Sequence, residues 1–203
     1  MESSQLPTGK LTRADLYTLE AYARARPQFR DKVIAHKKNR QVAIGPNATL
    51  SFEDRLTMQY QIQEMLRVER IFEPEGIEDE LGAYNPLIPD GTNWKATMLL
   101  EYPDVEERHR ALAALKDIER RVWVRVAGHD AVWAIADEDL ERTNEAKTSS
   151  VHFLRFELTP EMIRSVKRGA DIAVGIDHEN YRYAVDAVPS AVRDSLVQDL
   201  GNL

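Results

Sequence analysis

Ser150-Val151-His152-Phe153-Leu154-Arg155-Phe156-Glu157-Leu158 and Asp171-Ile172-Ala173-Val174-Gly175-Ile176-Asp177-His178 set the architecture this chain can adopt. Strand side chains alternate between faces, so the first segment places His152 beside Leu154, Phe156 and Leu158. The second aligns His178 with Ile172, Val174 and Ile176. Both segments therefore read as neighbouring strands, each with a histidine turned toward a core. Between them Thr159 is an N-cap, Pro160 takes the first helical position, and Gly169 suits the residue beyond the helix end. A connection of about a dozen residues allows either a parallel crossover or an antiparallel pair. Antiparallel neighbours would bring the histidines to one end, within reach of a shared metal. Parallel neighbours would hold them roughly 17 Å apart.

Outward from this unit the same periodicities recur. Arg121–Ala127 and Ala131–Ala136 form a hairpin across Gly128-His129-Asp130, and Tyr181–Val185 adds an edge. Trp94–Glu101 is strand-like, and Gln41–Ile44 turns at Gly45-Pro46-Asn47 to pair with Thr49–Phe52. The longest helical pattern runs from Glu53 to Phe72, with Met58, Ile62, Met65, Leu66 and Phe72 in one stripe. Thr12 caps a helix that runs to Lys38 with an interruption near Pro27. Shorter helices follow at Ile77–Tyr84 and Val105–Ile118, and a last one from Pro189 to Leu200. The predicted fold is α+β: a mainly antiparallel or mixed sheet packed against the long helix and the N-terminal helices. Residues 1–11 read as a flexible tail and 12–203 as one domain.

The chain has 203 residues, no cysteine and a net charge of −7. That balance argues against nucleic acid, which needs a concentrated positive surface. The basic run Arg30–Arg40 reads as a solvated helix end. Without cysteine there is no disulfide, iron–sulfur cluster, thiolate zinc site or c-type haem attachment. Glycine-rich dinucleotide and phosphate loops are absent from the sequence, as are the common hydrolase signatures. Residues 1–9 carry no secretory apolar stretch and no run would cross a bilayer, so a cytoplasmic location is expected.

Any metal must then be held by nitrogen and oxygen ligands, which suits iron, manganese or zinc. His152, His178 and Glu64 form the leading set, with His36 and Glu53 outside it. Alternatively Glu64 is a general base whose pKa burial raises, with Arg67 or Arg155 holding an anionic substrate. A structural reading pairs Glu64 with Arg155 or Arg67 and bonds each histidine to a backbone carbonyl. The protein would then be a metal-free scaffold or homo-oligomer presenting the Tyr84–Gly91 loop.

Three segments carry a family likeness: His36–Arg40 through Ala43–Asn47, Gln61–Arg67, and Lys147–Phe156. With Tyr84–Gly91 and Asp177-His178 they resemble a bacterial domain-of-unknown-function family, number 3501, over nearly the whole chain. The resemblance implies association with rubrerythrin-like and iron–sulfur oxidoreductase proteins. It thereby implies an accessory role in a redox or oxidative-stress system, and nominates no residue.

Overall fold

The computed structural model describes residues 9–136 and 148–201. The strands divide into two four-stranded antiparallel sheets rather than one. The first has the order β1-β2-β3-β6, formed by Gln41–Ile44, Ala48–Glu53, Asn93–Leu100 and Val151–Glu157. In the second, with the order β5-β4-β7-β8, are Ala131–Trp133, Val122–Val126, Ile172–His178 and Tyr181–Val185. The fold is α+β, as the periodicities require.

Alternation explains the core. Leu50, Phe52, Trp94, Met98, Leu154 and Phe156 from the first sheet meet Val122, Val124, Val126, Ile172, Val174 and Ile176 from the second in one buried cluster. The sheets are stitched along both sides. Ile135 and Arg155 exchange two backbone hydrogen bonds of 2.9 Å on one side. On the other, the Tyr181 hydroxyl donates to the Ile44 carbonyl and accepts from the Asn47 and Ala48 amides.

Helix α1 (Leu19–Lys37), α2 (Arg55–Glu69) and α3 (Pro74–Tyr84) cover the outer face of the first sheet. There Met58, Ile62, Leu66, Leu81 and Leu87 form a second core against Phe153. Pro27 does not interrupt α1, which runs through it. The proline removes one helical N–H, but Tyr22, Phe29 and Val33 are buried against Leu56 on both sides of it and hold the halves in line. The Thr12–Asp15 capping box forms, yet its helix is a single 3-10 turn, Arg13–Asp15. Three α2 side chains spaced four apart capture this segment instead. Arg55 pairs with Asp15, Gln59 donates to the Asp15 carbonyl, and Gln63 accepts from the Tyr17 amide. Leu11 is already buried, with both backbone groups bonded to Asn85, so the packed chain includes a residue expected in the tail.

Helix α4 (Val105–Ala114) and α5 (Pro160–Lys167) flank the core between the two sheets. Helix α6 (Ser190–Val197) closes one end, where Trp94 Nε1 donates to the Leu196 carbonyl. The Thr159 cap, the Pro160 start and the positive φ of Gly169 are as the local sequence predicts. The charged stretch 137–147 lies outside the described residues. Among the described residues no helix is long and apolar enough to cross a membrane.

Candidate functional site

Ala25, Phe29, Lys32 and His36 recur at three- and four-residue intervals and form one face of α1. That face, the first turns of α2 and residues 195–201 enclose a cleft of about 1030 Å³. Its most buried polar lining residue is Arg40, only 1% exposed although it is charged. Every arm of the guanidinium is occupied. Nε donates to the Phe52 carbonyl, Nη1 to Ser195, and Nη2 to the Glu53 carbonyl and, at 2.6 Å, to Asp199. Burial opposes the charge, but the carboxylates of Asp199 and Asp54 outweigh it and hold the Arg40 pKa above its ordinary value. Asp199 is also sealed from water, and burial pushes its carboxyl up to about 7 against the pull of Arg40.

Asp54 performs two tasks. As N-cap of α2 its Oδ1 accepts from the Thr57 amide, while Oδ2 lies 2.5 Å from His36 Nε2. Burial works against its ionised form, but the His36 hydrogen bond and the Arg40 charge prevail and its pKa is lowered. An ionised Asp54 accepts, which assigns the proton to His36 Nε2 and leaves Nδ1 as the basic nitrogen. The result is a carboxylate-held imidazole in the wall of a large cleft.

Residues 10–200 match the family described as protein of unknown function, DUF3501. The chain belongs to the DUF3501 family. A crystal structure of a novel protein of unknown function from Burkholderia pseudomallei K96243 is similar, at 51% identity with a TM-score of 0.90. The match covers 95% of this chain and 100% of that one. No curated protein matches.

In this DUF3501 chain the two strand histidines face inward as expected, but they belong to different sheets. Neither of the anticipated neighbouring arrangements occurs. His178 Nε2 donates to the Lys116 carbonyl at 2.9 Å, and Nδ1 accepts from the Asn180 amide. Asn180 in turn donates to the Ala114 carbonyl, so this pair holds the last residue of α4 and the segment just after it. His152 is fully buried, its Nε2 beside Thr148 Oγ1 and donating to the Ser149 carbonyl, with Glu119 3.9 Å from Nδ1.

Glu64 lies on the other side of the first sheet, within the helical layer. It accepts two bonds from Arg26, one from the Tyr22 hydroxyl and one from Arg67. The pKa rise expected for a general base is therefore reversed. Arg26 above all holds the Glu64 carboxyl at about 2. Arg155 is not its partner; it pairs with Glu157. Glu53 is buried under α2, where Oε1 accepts from Thr97, while its Oε2 makes no hydrogen bond among the described residues. Of the five metal-ligand candidates only His36 lines the cleft. Among the described residues no three His, Cys, Asp or Glu side chains gather as a metal-holding group.

Sequence reasoning missed Arg40, Asp54, Asp199 and Lys32. One signal was present: Asp54-x-x-Thr57 before an apolar helix is a capping pattern, and it sets Asp54 as the cap. Nothing local marks Arg40 and Asp199 as a pair, since they stand 159 positions apart.

Proposed function

We propose that the cleft between α1, α2 and the C-terminal segment binds an anionic small molecule, with His36 as its acid–base group. The His36–Asp54 pair carries this reading. A carboxylate on one imidazole nitrogen fixes the tautomer and orients the ring so that the other nitrogen faces a ligand as a proton acceptor, the arrangement proton transfer requires. Lys32, Arg40, Arg55 and Lys167 line the same cleft, with Asp54 and Asp199 in its wall and Asp15 on Arg55, so among the described residues a positive excess remains and favours a negative ligand. Arg40 acts as a positioning residue, since its donors are already used by the protein.

Isothermal titration with phosphate and propionate tests the proposal. One-site binding is expected, weakened about tenfold in His36→Gln. Asp54→Asn keeps a good helix cap while removing the charge, and is expected to weaken binding without unfolding α2. Absence of binding by either anion would sink it. The accessory redox role implied by the resemblance has its own assay, elemental analysis of untagged protein. Stoichiometric iron, manganese or zinc would favour that role over this one.

A further inference from the structure

The cleft is much larger than an inorganic anion needs. Its volume of about 1030 Å³ is that of a site for an organic molecule. Its wall is also divided. Toward the start of α1 lie Phe29, Leu56 and Tyr17, and toward its end Lys32 and His36. Tyr17 stands out among these. It is 42% exposed, and its ring sits edge-on to Phe29 with centroids 6.0 Å apart. Gln63 holds its backbone from both sides, accepting from the Tyr17 amide and donating to the Tyr17 carbonyl. An aromatic ring fixed by its backbone and left open at a cleft mouth is a preformed apolar contact.

The cationic end is equally specific. Arg55 is engaged by Asp15 and Arg40 by its buried partners. Lys32 makes no ion pair among the described residues, and His36 offers Nδ1. These two groups stand one helical turn apart on the face that carries Phe29. At 1.5 Å per residue, a point midway between Lys32 and His36 lies roughly 7 to 8 Å along the axis from Phe29. From this juxtaposition we propose that the cleft takes an aryl-alkanoate, a small molecule with an aromatic ring and a carboxylate joined by a short alkyl spacer. The ring covers Tyr17 beside Phe29 and Leu56, and the carboxylate sits between the Lys32 ammonium and the imidazolium form of His36, which keeps Nε2–H on Asp54 and donates from a protonated Nδ1. This assignment rests on the anion-binding reading above and adds the ring and the spacing.

Titration calorimetry with 3-phenylpropionate, propionate and 3-phenylpropan-1-ol separates the two claims. The aryl acid is expected to bind about tenfold more tightly than either comparison compound. Tyr17→Ala should remove its advantage over propionate, and Lys32→Gln its advantage over the alcohol. Both side chains are at the surface, and circular dichroism would verify that the variants fold. Equal binding of propionate and the aryl acid would overturn the ring assignment while leaving the anion site standing. Equal binding of the alcohol, or no binding of any compound, would overturn both. Unchanged affinities in the two variants would place the ligand elsewhere and overturn the aryl-alkanoate site.

Discussion

Arg40 joins five residues from two distant stretches, 52–54 and 195–199, in a space from which water is nearly excluded. Its Nε and Nη atoms serve the carbonyls of Phe52, Glu53 and Ser195, and the carboxylates of Asp199 and Asp54. Removing one partner of such a group leaves the others desolvated and unsatisfied. Arg40→Met is expected to cost about 3–5 kcal/mol in urea unfolding, and Arg40→Met with Asp199→Leu to recover part of that loss. A loss below about 1 kcal/mol would show that the pair contributes little. The run Arg30–Arg40 was legible as basic, and a basic run normally faces water. That Arg40 alone turns inward follows from its place after the end of α1 and before β1, where the chain enters the sheet.

At the level of elements, caps were the most readable features. Thr159-Pro160 and Gly169 bracket α5 as their chemistry requires, and Asp54 closes the start of α2 one residue beyond the expected boundary. The end of α4 is different, because its Ala114 carbonyl and the Lys116 carbonyl just beyond it are satisfied from the β7–β8 turn by Asn180 and His178. His178 was legible as an inward histidine in need of a partner, but the partner comes from 62 residues away. His178→Ala is expected to cost about 1–3 kcal/mol, since the Lys116 carbonyl loses its donor. Hydrogen exchange should show the last turn of α4 and the β7–β8 turn opening faster, with α1 and α2 unchanged. Uniform acceleration throughout the chain would contradict a local capping role.

Across the whole molecule, opposing titrations shape stability. Arg26 holds Glu64 at about 2 against an ordinary 4.5, and hydrogen bonds from Thr12 and Arg55 hold Asp15 at about 2 against 3.8. Groups lowered in this way stabilise fully above their unfolded values, and the benefit is lost as pH falls toward 2. Asp199 acts in the other direction. Its pKa rises from 3.8 to about 7, so between these values the folded chain keeps a proton that the unfolded chain releases. Stability from this group therefore declines as pH rises through the window. Thermal midpoints measured from pH 2 to 9 should peak at about pH 4–5, and Asp199→Asn should flatten the decline toward neutrality. A midpoint that climbs steadily to pH 8 in the native chain would rule out a protonated Asp199.

Period-two alternation, helix stripes and capping residues are properties of a few adjacent positions. They therefore specified the strands, most helices, the inward histidines and the α+β class without reference to the rest of the chain. The division into two sheets is a different kind of quantity, because it depends on which edges pair after the chain closes. That division puts His152 and His178 in separate sheets, and the first sheet stands between them and Glu64. The cleft is likewise assembled from α1, the start of α2 and residues 195–201, whose contacts span most of the chain. Burial, ion pairing and protonation at Arg40, Asp54 and Asp199 arise only there, since each is set by distant neighbours and by exclusion of water.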